Sequence, residues 1–211
     1  MKVKPEIGKA VNGLAQEAGI KKSTWEKFKK ILSEVRRHHR GTYYHCLRVG
    51  YYSYGLAKKE KWRDTKLPLF GGCGHDYGKF SVSSHLLSNK RITEKEFEKI
   101  KKHTTQGFDK LKDTFLFTSF IAGLHHKYKD GGYGIDLDKV APPFFKKSDK
   151  NKIKRTAELV MLCDFFDALI TRRNNKGLLN DISNEKEIKK VMRKFFPSSS
   201  GRINWLLKNK V

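Results

Sequence analysis

Leu67-Pro68-Leu69-Phe70-Gly71-Gly72-Cys73-Gly74-His75-Asp76-Tyr77-Gly78-Lys79 is the stretch that decides the fold class. Its apolar residues predict a helix over about Leu67 to His75 that ends on an adjacent imidazole and carboxylate. The glycines of Gly71-Gly72-Cys73-Gly74 do not have the spacing of a P-loop or a GxGxxG turn. They fit a helix that a second helix approaches closely. His75-Asp76 places two favoured transition-metal ligands side by side at that helix end.

Working outward, the neighbouring segments also carry helical periodicity. Residues Met1 to Ile20 read as a short amphipathic lead-in, with Gly8, Gly13 and Gly19 expected as breakers. From Ser23, the residues Trp25, Phe28, Ile31, Leu32 and Val35 share one stripe, which runs into a basic end and is expected to stop at Gly41. Thr42 to Lys59 carries His45, Val49, Tyr52 and Leu56 on roughly one face. A polar loop is expected from Ser81 to Lys90. Thr93 and Glu96 form a capping box that opens a helix through His103 and Thr104. Thr114 to His126 is apolar and expected to be buried, and Lys127 to Pro143 is rich in glycine and proline and reads as a loop. A long helix is predicted over Lys152 to Arg173, and two shorter ones over Glu185 to Phe196 and Gly201 to Lys208, with Pro197 between. Alternating runs bounded by hairpin turns are missing, so the expected architecture is an all-α bundle. Residues 1–40 would form an N-terminal helical extension and residues 41–211 the functional domain.

Composition sets the broad class. A chain of 211 residues can bury a core without staples. Its 46 Lys+Arg outnumber 22 Asp+Glu, a formal charge of +24 that attracts polyanions, nucleic acid among them. Cys46, Cys73 and Cys163 make no CxxC pair and sit in apolar contexts, which suggests reduced thiols in a cytoplasmic protein. Met1 to Pro5 has no apolar signal-peptide core, and no stretch has the length of a membrane span.

The histidines carry the chemistry. His45 lies within one predicted helix, His75 ends another, His103 is late in the capped one, and His125-His126 ends the apolar one. Asp164 lies inside Val160-Met161-Leu162-Cys163-Asp164-Phe165-Phe166, where a buried acid is costly without a cation or partner. A lone histidine on an apolar face is more often a hydrogen-bonded core residue than a ligand. That all of these are separately satisfied is the less economical explanation, because a bundle can gather such groups from facing helices into its interior. Zn, Mn, Fe and Ni all accept such ligands, and residue type does not choose among them. His38, His39 and His85 sit in basic or polar surroundings and are expected to be solvated.

This order of residues resembles the HD superfamily of metal-dependent phosphohydrolases, and its HD-GYP branch in particular. The family's H-x-x-R-V is similar to His45-Cys46-Leu47-Arg48-Val49, and H-D-x-G-K to His75-Asp76-Tyr77-Gly78-Lys79. Leu87-Ser88-Asn89-Lys90 and Ile92-Thr93-Glu94-Lys95-Glu96 resemble the L-x-K and L-T-x-E-E that follow. His103 to Gly107 fits H-x-x-x-G, and Asp164-Phe165-Phe166-Asp167-Ala168-Leu169 fits D-x-x-D-A-L. His125-His126-Lys127-Tyr128-Lys129-Asp130-Gly131-Gly132-Tyr133-Gly134 is similar to H-H-E-x-x-D-G-x-G-Y-P, one residue shorter, with Lys127 for the Glu and Gly134 for the Pro. Gly41 stands where members with a third metal often carry a Glu.

The resemblance covers roughly Thr42 to Lys176. It implies an HD-domain bundle with an interior site for two divalent metals (Fe, Mn, Ni or Zn). His45, His75, Asp76 and Asp164 would hold one, and Asp76 would bridge to a second held by His103, His125 and His126. Lys79 would neutralise a phosphate oxygen beside Asp76. Asp167 would orient a histidine ligand, and Lys90, Arg172 and Arg173 are candidate phosphate contacts. The implied activity is phosphodiester hydrolysis of a cyclic dinucleotide or related signalling nucleotide. A single-strand nuclease is the alternative favoured by the charge, and a nucleotide sensor without turnover is the non-enzymatic one.

Overall fold

The structure is a computed structural model that describes residues 4–89, 91–128, 131–171 and 184–211. Among these residues there are helices and turns and no strand. Helices α1 (Lys4–Glu17), α2 (Lys22–His38), α3 (Arg40–Lys59) and α4 (Lys66–Gly74) come first, followed by a 3₁₀ turn at Tyr77–Ser81. Then follow α5 (Ser84–Ser88), α6 (Glu94–Lys101), α7 (His103–Leu111), α8 (Leu116–Leu124) and α9 (Leu137–Val140). The chain continues with α10 (Lys147–Thr171), α11 (Glu185–Phe195), a 3₁₀ turn at Pro197–Ser199 and α12 (Ser200–Lys208). The all-α expectation holds.

Helix α10 runs through the centre and packs against α3, α4 and α8. Leu159, Val160, Met161, Leu162 and Cys163 are buried in succession, as expected of a helix covered on every side. The predicted α2 stripe is buried at Trp25, Phe28, Leu32 and Val35. It meets Ile7 and Val11 of α1 and Leu69 and Phe70 of α4 in a second apolar cluster.

The glycine run of α4 is where α3 crosses. A Cβ on Gly72 would lie 2.7 Å from the Gly50 Cα, closer than van der Waals contact allows. The two glycines let the backbones touch, and this brings His45 and His75 to one point.

Several boundaries differ from expectation. Gly8 and Gly13 lie inside α1, and the first break is at Gly19. Helix α2 ends at His38 rather than Gly41. His39 is extended, and its side chain accepts from the Thr42 N–H to cap α3. His38 is not solvated either, because its Nε2 lies 2.6 Å from the Val82 carbonyl. His85 is exposed, as expected. The capping box forms, with the Glu96 carboxylate accepting from the Thr93 N–H at 2.7 Å. The helix it opens ends at Lys101, however, and α7 starts anew at His103 because it packs on α8 and on the Tyr77–Ser81 turn. Short helices α5 and α9 interrupt the two predicted loops, each capped locally by Ser83 or Asp136. The long helix starts at Lys147, five residues earlier than read from sequence. All three cysteines are free and buried.

Candidate metal centre

His75, His103 and His125 are held by one local device. His75 and His125 follow the last turns of α4 and α8, and His103 opens α7. Each Nδ1 meets the backbone carbonyl three residues back: Gly72 at 2.8 Å, Ile100 at 2.6 Å and Ala122 at 2.9 Å. A carbonyl only accepts, so each Nδ1 carries the proton and each Nε2 presents its lone pair. Those three nitrogens, with Nε2 of His45 from α3, converge on Asp76.

The carboxylate of Asp76 divides them into two sets. Its Oδ2 lies 3.5 Å from His45 Nε2 and 3.4 Å from His75 Nε2. Its Oδ1 lies 3.3 Å from His103 Nε2 and 3.9 Å from His125 Nε2. Within each set the two imidazole nitrogens stand 3.3 Å apart. Asp164 from α10 completes the first set, with Oδ1 2.9 Å from His45 Nε2. Its other oxygen lies 3.9 Å from His126 Nε2. Every predicted ligand is therefore brought together.

The second set is short of donors. His103 Nε2, His125 Nε2 and Asp76 Oδ1 are three acceptors facing one another, and Asp76 Oδ1 is buried with no hydrogen-bond partner. Burial pushes His103 down to about 4 and His126 down to about 3, and drives His125 well below the usual histidine range. These rings stay neutral near pH 7, and His103 and His125 each commit their single N–H to a backbone carbonyl at Nδ1. Acceptors gathered without a donor fit a cation, and imidazole with carboxylate suits a divalent transition metal. The clusters His103, His125, His126 and His45, His75, Asp76 each bring ligand atoms within 4.8 Å of one another.

Around the first set the electrostatics differ. Burial opposes a charge on His45, but Asp164 and Asp167 raise its pKa. Burial likewise opposes the Asp76 carboxylate, yet Lys79, His75, His103 and His45 hold it well below the usual range. Lys79 is buried with its Nζ on Asp76 Oδ2. Its position in the turn depends on Gly78, where a Cβ would fall 1.8 Å from the His103 carbonyl oxygen.

Asp167 stands behind His45. Its Oδ2 accepts from His45 Nδ1 at 2.7 Å, which turns the His45 Nε2 toward Asp76 and Asp164. Arg48 holds Asp167 in a fork, Nε to Oδ1 at 2.6 Å and Nη2 to Oδ2 at 2.9 Å. Sequence reading gave Asp167 its role but assigned none to Arg48. The available signal was its spacing three residues after His45, one turn along α3. Tyr133 is a second omission, with its ring centroid 4.8 Å from that of His126. Lys90, Arg172 and Arg173, the candidate phosphate contacts, lie outside the described residues.

An all-helical bundle with an interior His/Asp cluster is the class that fold and site define. The sequence matches the HD domain family over residues 42–169, and the chain belongs to that family. A cyclic di-GMP phosphodiesterase of Thermotoga maritima is 30% identical over 155 residues, 70% of this chain and 39% of that protein. The chain thus spans about two-fifths (39%) of the length of that curated relative. Among solved structures, the HD domain of the L. monocytogenes phosphodiesterase PgpH in complex with cyclic-di-AMP matches with a TM-score of 0.53 at 18% identity. The match covers 82% of this chain and 86% of that one. A further crystal structure of the PgpH HD domain gives 0.52 at 18% identity. At that identity the likeness speaks to the fold.

Proposed function

We propose that the chain is an HD-GYP-like phosphodiesterase that hydrolyses a cyclic dinucleotide or related signalling nucleotide at a two-metal centre. The observation that carries this reading is the division of the histidines by Asp76, one imidazole pair before each carboxylate oxygen. His45, His75, Asp76 and Asp164 would hold one metal, and Asp76, His103, His125 and His126 the other. Divalent metals in such a pair acidify water and neutralise charge on phosphoryl oxygens.

The chain's own residues do the rest. Asp76 is the shared carboxylate. Lys79 sets a compact positive charge beside it, where a non-bridging phosphate oxygen would lie. Asp167 and Arg48 keep His45 in its ligating orientation. Tyr133 packs against His126, with the ring centroids 4.8 Å apart. The Thermotoga relative and the cyclic-di-AMP complex of the PgpH domain support the choice of a cyclic dinucleotide over other phosphodiesters.

The test is to incubate metal-loaded protein with cyclic dinucleotides, mononucleotides and single-stranded oligonucleotides and to separate the products. Linear dinucleotide or mononucleotide from a cyclic dinucleotide is expected, with Asp76→Ala inactive. Cleavage of oligonucleotides alone, or an active Asp76→Ala, would overturn the proposal.

A further inference from the structure

The five histidines of the proposed metal centre are not held alike. His75, His103 and His125 each commit Nδ1 to a backbone carbonyl, and His45 commits it to Asp167. His126 differs, since among the described residues no hydrogen bond fixes its ring, and its Nε2 stands 3.9 Å from Asp164 Oδ2. A ligating imidazole needs something behind it to set its orientation. Aromatic packing stands where the hydrogen bond is missing. Around His126 lie the rings of His103 and His125, which belong to the centre itself, and that of Tyr133, which does not. The Tyr133 ring is 4.8 Å away, centroid to centroid, and inclined by 34° to the imidazole.

The backbone puts Tyr133 there. Its N–H donates to the His126 carbonyl at 3.2 Å, and the Ile135 N–H donates to the Gly123 carbonyl at 3.0 Å. Gly134 between them has a φ of +135°, and a Cβ on it would fall 2.1 Å from that same Gly123 oxygen. Glycine is what allows the chain so close to α8. The phenol ring is itself anchored by Phe97 of α6, 6.4 Å away at 84°, and by Lys101, whose Nζ lies 5.7 Å from its centroid. We propose that Tyr133 is a positioning residue, whose ring fixes the His126 imidazole for the second metal ion. The proposal rests on the two-metal reading above and adds to it the residue that completes the second set. The contact is made ring to ring, so the aromatic ring does the positioning and the hydroxyl is dispensable.

The test is chelator competition on the full chain loaded with Mn²⁺. Wild type, Tyr133→Phe and Tyr133→Ala are equilibrated against graded EDTA, and the metal retained is counted by elemental analysis. Wild type and Tyr133→Phe are expected to release two ions in the same two steps. In Tyr133→Ala one ion should be held about tenfold more weakly, with the other step unmoved. Two steps in wild type that stay where they are in Tyr133→Ala would overturn the proposal and leave the two-metal reading standing. Equal weakening of both ions in Tyr133→Ala would mean a general loosening of the site and would overturn it as well. A Tyr133→Phe chain as weak as Tyr133→Ala would assign the effect to the hydroxyl, against the proposal. A wild type that holds a single ion would overturn the two-metal reading and this inference with it.

Discussion

Asp76 is the residue on which the account turns, because each of its oxygens faces a different imidazole pair. Context in an apolar helix or at a helix end made His45, His75, Asp76, His103, His125, His126 and Asp164 candidates, and their division into two ligand sets came from the resemblance to the HD superfamily's motifs. What the sequence could not display is the support behind them. The Nδ1 bonds to Gly72, Ile100 and Ala122 use backbone carbonyls, which every residue possesses. His38 and His39 misled for a related reason. Their basic neighbours suggested solvent, while their partners are Val82, far along the chain, and a local backbone N–H. The Arg48–Asp167 fork gives a prediction at this scale. Asp167→Asn or Arg48→Ala should weaken metal binding about 10- to 100-fold, read by competition with a chelating dye, with the helical circular dichroism retained. Unchanged affinity in both variants would remove the pair from its positioning role.

At the level of elements, the glycine run of α4 was legible as a close-packing device, and it is one. Gly72 meets Gly50 of α3 backbone to backbone. Gly72→Ala should destabilise the protein by at least about 1–3 kcal/mol and lower the affinity for metal, because α4 carries His75. Gly8→Ala in α1, where an added Cβ meets nothing within 4 Å, serves as the control and should be neutral or slightly stabilising. Denaturant melts of the two variants measure this. The break between α6 and α7 was not legible, since Lys101-Lys102-His103 contains no glycine or proline. Tertiary docking of α7 overrode a continuous helical pattern. Helices α5 and α9 went unread because each spans no more than five residues, too short for a periodic stripe.

Across the whole molecule, α10 threads the centre and α12 ties back to α3. Arg202 of α12 binds the Glu60 carboxylate through Nε at 2.6 Å and Nη2 at 2.8 Å. Arg202 lowers the Glu60 pKa against partial burial, with Trp62 assisting. A carboxylate with a lowered folded pKa stabilises above its unfolded value, about 4.3, and loses that contribution as pH falls through the folded one. Glu60→Gln should therefore cost about 1 kcal/mol at neutral pH, since the pair is partly screened by solvent. The difference from wild type should shrink as pH falls below about 4, in thermal melts across that window. No helix among the described residues is long and apolar enough to cross a membrane. The formal charge of +24 suits polyanions in general, and the nucleotide proposed above is a smaller one than nucleic acid. The most direct test of the central claim is the number of transition-metal ions bound per chain, measured by elemental analysis on wild type and on His125→Ala. Two per chain, falling to one in the variant, is the predicted result. A wild-type value of one or less, or a variant that keeps the full wild-type content, would contradict it.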